Sequence, residues 1–207
     1  MVIPASAQNC IPAVSSMIMV ILVNRFDVTT IAAYGVVKNI ENILFYPAMA
    51  MNMALITVVA QLYGAKRNDR IKEYMKTALL YGSAIEVILT AIVLVFSTQI
   101  SLVFVREAAV AAIASRGLKI IGLGYLCYMM TNVFTAKMAG VGRVNLSMIL
   151  MFVYYIVIRV PLAVVLIGGP LGLDGMWTAI LISHLAAVLM AFIVDRKMGM
   201  HICSSCS

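Results

Sequence analysis

The chain has 207 residues, 64% of them hydrophobic and 11% charged, with a formal net charge of +7 and a mean hydropathy of +1.06. Water-soluble domains average about 45–50% apolar and about 25% charged residues, so these proportions exclude one and describe an integral membrane protein. The 15 Lys and Arg are scattered between apolar runs without an aromatic-basic stripe, which fits membrane topology and excludes a nucleic-acid partner.

A helix crossing a bilayer needs about 20 mostly apolar residues. Extending each apolar run to its nearest charge or turn signal predicts spans at 3–23, 40–63, 78–104, 118–136, 145–167 and 176–194, with a tail over 195–207. Unpaired backbone polar groups are not tolerated in hydrocarbon, so runs this long are helices, and the alternation of barrel strands is absent. The expected fold is all-α: one six-transmembrane-helix bundle over 1–207. The first run lacks a charged start and a cleavage-like site and holds Pro4, Gln8, Asn9 and Pro12, so it is expected to stay in the mature protein.

Polar residues inside spans carry the functional signal, because a charge at the bilayer centre costs about 2.5–3.5 kcal/mol even on insertion scales. In span one Gln8 precedes Pro12 by four residues, which puts an amide beside a carbonyl that proline leaves without its donor. That arrangement suits a ligand contact, or a kink satisfied by a neighbouring helix. Span two opens with Lys38, Asn39, Glu41 and Asn42, followed by Tyr46, Pro47 and Asn52. Helical spacing gathers these on adjoining faces that either line a cavity or hold a Lys38–Glu41 pair at the interface. Met49, Met51 and Met53 surround the proline and make either an adaptable apolar surface or filler.

Span three carries Glu86 with Ser83, Thr90 and Ser97 on its side. A membrane carboxylate of this kind is a proton or sodium site, or a hydrogen-bonded packing residue. Span four places Tyr128, Asn132 and Thr135 on one face, as cavity lining or interhelical glue. In span five Arg159 precedes Pro161; a buried arginine needs carboxylates, free carbonyls or water, and Glu86 and Glu41 are the candidate partners. His184 in span six reads as a packed neutral histidine. The tail residues His201, Cys203 and Cys206 have no second ligand pair, and no hydrolase, metalloprotease or phosphate-loop motif is present, so neither metal nor enzyme chemistry is expected.

Basic residues favour the cytoplasmic side. Lys66, Arg67, Arg70, Lys72, Lys76, Lys137, Arg143, Arg196 and Lys197 fall on one side, against Arg25, Lys38, Arg106, Arg116 and Lys119 on the other. Both termini are therefore expected in the cytoplasm. Of the connections on the far side, Val105–Gly117 is Ala-rich and helical in character, and Gly168–Gly172 is a tight turn. On the near side, Gly64–Lys76 reads as a short interfacial helix.

Several runs in this order resemble the multidrug and toxic compound extrusion (MATE) transporters: Ile3-Pro4-Ala5, Ile31-Ala32-Ala33-Tyr34-Gly35, Gln61-x-x-Gly64-Ala65 followed by Asp69-Arg70, Ala139-Gly140-Val141-Gly142, and Ile158-Arg159-Val160-Pro161. The resemblance implies one lobe, the second, of a twelve-helix fold whose two six-helix lobes enclose a cavity open to alternate sides. It implies export of organic cations or amphipathic drug-like compounds across the plasma (inner) membrane against sodium or protons, with no cofactor beyond that coupling ion. Such a half needs a second lobe or a homodimer partner. On this resemblance Gln8, Asn39, Asn42, Tyr46, Tyr128 and Asn132 line the cavity, Glu41 and Glu86 are the carboxylates available for ion coupling, and Pro12, Pro47, Arg159 and Pro161 serve structure and gating. The sequence departs from many members in having no acid between Met1 and Val23 and Tyr128 in place of an acid on the fourth helix. The alternatives are a lipid-linked saccharide flippase of the same superfamily, expected to need a more cationic cavity, and a non-transporting membrane assembly partner.

Overall fold

A computed structural model describes the backbone of residues 2–204 and the side chains of residues 10–197. The helices, in chain order, are α1 (Val2–Val23), α2 (Val28–Gly64), α3 (Asn68–Val95), α4 (Ser97–Phe104), α5 (Ala108–Gly140), α6 (Val144–Phe152), α7 (Arg159–Ile167) and α8 (Leu173–Ser204), with a stretch of π-helix at Val153–Ile158 joining α6 to α7. Five units, Val28–Gly64, Asn68–Val95, Ala108–Gly140, Val144–Ile167 and Leu173–Lys197, are long and apolar enough to cross a membrane, and Cys10–Val23 is a shorter apolar helix.

Two helices begin well before their hydrophobic spans. Helix α2 starts at Val28, where Asp27 caps it by accepting from the Thr30 amide (3.3 Å) and hydroxyl (2.6 Å). These bonds, the hydroxyl first, hold the Asp27 carboxyl below the usual carboxylate range because they favour its charged form. Helix α3 starts at Asn68, so the expected interfacial helix over Gly64–Lys76 is its first turns. The Ala-rich connection is likewise the start of α5, and Gly168–Gly172 is the turn between α7 and α8. Hydropathy marks where hydrocarbon begins, whereas these helices end where their caps and turns lie.

Helix α5 is the central element and lies against α2, α3, α4 and α8. Small residues let the neighbours approach closely. A Cβ on Gly140 would stand 2.7 Å from Val59 and 3.0 Å from the Ile56 carbonyl of α2, and one on Gly117 would stand 2.8 Å from the Trp177 indole of α8. Trp177 also stacks on Tyr34, with ring centroids 5.7 Å apart. A hydroxyl cluster fixes α4: Ser97 and Thr98 bond Ser115 of α5 at 2.8 and 3.1 Å, and Ser101 donates to the Ser97 carbonyl at 2.7 Å.

Helices α5 and α8 run parallel and are clamped at both ends. Arg116 pairs with Asp174 at one end, and Lys137 with Asp195 (2.6 Å) at the other. The pairs are 21 residues apart on both helices, residues 116 to 137 and 174 to 195. At 1.5 Å per residue this is about 32 Å of rise, close to the thickness of a bilayer's hydrocarbon core.

Gly140→Ala meets the α2 backbone, which cannot rotate aside, and is expected to lower stability by about 1–3 kcal/mol. At Gly35, inside α2, an added Cβ would have nothing within 4 Å, so Gly35→Ala is expected to be neutral or mildly stabilising. Thermal unfolding of the two variants in detergent micelles compares them directly.

Candidate functional site

A cavity of about 320 Å³ opens between α1, α2, α5 and the π-helical stretch. One face of α2 supplies Lys38, Asn42, Phe45, Met49, Asn52 and Met53, and α5 supplies Tyr128 and Asn132. The remaining wall is Pro12, Ala13 and Ser16 of α1 with Met151, Tyr155 and Arg159. Phe45 stacks on Tyr128 with centroids 3.9 Å apart, joining the two main walls. Asn52 donates to the Asn132 carbonyl (2.6 Å) and the Thr135 hydroxyl (3.2 Å), and Asn132 to the Tyr128 carbonyl (2.9 Å).

The α2 positions 38, 42, 45, 49, 52 and 53 follow helical periodicity, which explains which expected residues reach the cavity. Asn42, Tyr128, Asn132, Pro12 and Arg159 line it. Asn39 and Tyr46 are exposed and outside the lining, each one residue, or about 100°, round the helix from the cavity face. Pro47 is half-buried and Pro161 exposed, both outside the lining. Gln8, like the tail residues His201, Cys203 and Cys206, lies outside the residues whose side chains are described.

Arg159 sits just beyond the π-helical stretch and is 6% exposed. Proline at position 161 has no amide to offer the Val157 carbonyl, and such a lost bond favours local rewinding of this kind. The expected carboxylate partners, Glu41 and Glu86, do not hold the guanidinium. Its Nε donates to Ser183 Oγ (3.0 Å), and its Nη2 donates to the Tyr154 hydroxyl (2.6 Å) and to His184 Nε2 (3.2 Å). Tyr154 and His184 Nδ1 are joined at 2.8 Å. An imidazole that accepts from arginine at Nε2 carries its proton on Nδ1, so His184 is neutral here and donates to Tyr154. The guanidinium also lies 4.9 and 4.7 Å from the ring centres of Tyr154 and Tyr155. His184 is therefore part of a polar cluster and not simply packed among apolar side chains. The clue in the sequence was its place beside Ser183, but only the fold brings both to Arg159.

Glu41 is 1% exposed and pairs with Lys38 through Oε2 at 2.9 Å, while its Oε1 has no partner among the described residues. Glu86 is fully buried, and among the described residues neither of its carboxylate oxygens is hydrogen-bonded, nor are the hydroxyls of Thr90 and Tyr125. Gly82 and Leu94 of α3 lie against Met129 and Gly122 of α5, so the intervening Glu86 and Thr90 fall on the face towards Tyr125. Thr90 and Ser97 are buried with Glu86 as expected, but Ser83 is only half-buried, and Gly82 continues the stripe.

The Arg159 cluster gives a direct stability test. Tyr154→Phe removes the oxygen that accepts from both Arg159 and His184, and is expected to cost about 1.5–3 kcal/mol, as for a lost hydrogen bond to a charged group. Thermal unfolding in detergent micelles measures the loss; an unchanged midpoint would mean that the cluster does not hold the π-helical region.

Known proteins share this architecture. The Bacillus subtilis (strain 168) protein named "Probable multidrug resistance protein YoeA" is 29% identical over 164 residues, 79% of this chain and 35% of that one. A Pasteurella multocida (strain Pm70) protein named "Probable multidrug resistance protein NorM" is 24% identical over 182 residues, 86% of this chain and 39% of that one. Among solved structures, an outward-facing multidrug resistance MATE family transporter of the MOP superfamily superposes with a TM-score of 0.91 at 19% identity, covering 98% of this chain and 46% of that chain. A mutant of the Vibrio cholerae MATE transporter VcmN superposes with a TM-score of 0.89 at 18% identity, over 94% and 44%. The chain thus spans about a third of the curated relatives and just under half of the solved transporters. These matches show one lobe of the fold; they do not bear out its expected place as the second of the two. The MatE family model matches residues 4–165, and the chain, an integral membrane protein and not an enzyme, belongs to that family.

Proposed function

We propose that the chain is one lobe of an efflux antiporter that exports amphipathic, drug-like compounds in exchange for sodium or protons, and that it works together with a complementary six-helix lobe. The carrying observation is the cavity: aromatic and methionine side chains beside three amides, on one open flank of a lobe that spans less than half of the solved transporters. The multidrug resistance names of the relatives fit a wall of this kind, because Met49, Met53 and Met151 can adapt to varied apolar shapes. Asn42, Tyr128 and Asn132 provide polar contacts, and the π-helical stretch before Pro161 is the element suited to bending as the cavity opens and closes. The flippase reading is not favoured by the relatives.

Glu86 is the carboxylate best suited to coupling. A fully buried acid without a hydrogen-bond partner must have its charge balanced by a proton or a monovalent cation. Glu41 already has Lys38 and is the weaker candidate. The excess of Lys and Arg on the side of Lys66, Lys137 and Arg196 supports cytoplasmic termini in a plasma membrane.

Three experiments test this reading. Cells expressing the chain fused to a MATE first or second lobe are expected to export a fluorescent amphipathic dye, while the chain alone does not; no export by either fusion would overturn the proposal. In the active fusion, Glu86→Gln is expected to abolish ion-dependent export without lowering the melting temperature, and undiminished export would exclude Glu86 from coupling. A green fluorescent protein placed after Ser207 is expected to fluoresce, as it does only when it folds in the cytoplasm.

A further inference from the structure

The cavity wall contains two cationic side chains, Lys38 and Arg159, and no carboxylate among its described lining residues. The two cations are not equivalent. Lys38 is matched by Glu41, which bonds its ammonium at 2.9 Å from behind the wall. Among the described residues Arg159 has only neutral hydrogen-bond partners: the hydroxyls of Ser183 and Tyr154 and an imidazole that accepts from it. Those bonds engage Nε and Nη2. Nη1 makes no hydrogen bond among the described residues and is not among the sealed polar atoms that lack one; with Arg159 lining the cavity, Nη1 is the donor left for a ligand there.

The wall therefore carries one uncompensated positive charge, held in place by three hydrogen bonds within a low-dielectric region. Such a charge is costly unless an anion meets it, and a guanidinium presents paired donors suited to carboxylate, sulfonate or phosphate oxygens. Asn42, whose amide makes no hydrogen bond among the described residues, and Ser16 add neutral donors to the same wall. Phe45, Met49 and Met53 form its apolar side. An organic cation placed there would face both Lys38 and Arg159, and no lining acid would offset them.

We propose that this cavity binds an amphipathic organic anion, with its charged group on Arg159 Nη1 flanked by Lys38 and Asn42, and its apolar body against Phe45, Met49 and Met53. The inference rests on the transport reading above for its role, but binding to the lobe can be tested separately from export.

The test uses the full chain in phosphatidylcholine nanodiscs and two probes with the same fluorophore and opposite charges, pyrenebutyrate and a pyrenyl-alkyl trimethylammonium. Saturable binding of pyrenebutyrate roughly tenfold tighter than the cation is expected, about one charge-assisted hydrogen bond's worth of preference. Arg159→Gln should remove that preference, and Ser16→Asp, which leaves the Arg159 cluster intact but adds the one negative charge the wall lacks, should remove it too. Equal binding of the probes, tighter binding of the cation, or no saturable binding of pyrenebutyrate by the folded wild-type chain would overturn the proposal. Displacement by added phosphatidylglycerol would identify a lipid phosphate as the occupant, and no displacement a soluble anion; both support the anion site. If the fused transporter exports the cationic probe while the anion is neither bound nor exported, this inference fails and the transport reading stands.

Discussion

Hydrocarbon offers no hydrogen-bond partners, and that constraint orders the interior of this lobe. Each polar side chain that enters a span must meet another within the protein, so the polar contacts gather where helices converge. Helix α5 is the meeting place: Ser115 bonds the α4 hydroxyls, the Asn132 carbonyl and the Thr135 hydroxyl accept from Asn52, and Lys137 donates to Asp195. Where glycine replaces a side chain on α5, α2 and α8 come close enough to add van der Waals contact, the main attraction left between helices when lipid is as apolar as leucine. Against this background the unsatisfied groups stand out. Glu86, Thr90 and Tyr125 break the rule together, and Arg159 obeys it only in part.

Helical class and five of the six expected spans were legible from hydropathy, because the bilayer imposes one length on every crossing. The true helix ends were not. Asp27 with Thr30 could have been read as a cap, yet the weakly apolar stretch after it hid a helix that begins twelve residues before the expected span. The π-helical stretch had one clue, Pro161, whose missing amide disturbs the turn before it.

The site was legible by residue type and less so by direction. Periodicity correctly suggested that polar residues at the start of α2 share faces, but which face meets the cavity depends on how α1 and α5 pack against it. Asn42 is on that face and Asn39 is not. The partners of Arg159 were hidden for a different reason. Charge suggested a carboxylate, whereas the fold supplies a tyrosine five residues earlier and a Ser-His pair from α8. An arginine satisfied by neutral groups keeps its charge available, and one satisfied by glutamate would not.

The two ion pairs at the ends of α5 and α8 also bear on where the protein can reside. With charged groups paired on both helices at the same separation and Trp177 packed on Gly117 between the two helices, sliding one helix past the other to suit a different bilayer would break all of these contacts. Adjustment to hydrophobic mismatch then falls to the pair tilting as a unit, or to the lipids stretching or thinning around it, at a cost that grows with each ångström. The lobe is in effect a gauge of membrane thickness, and its preference for one compartment over another would follow from lipid composition even before any targeting signal acts.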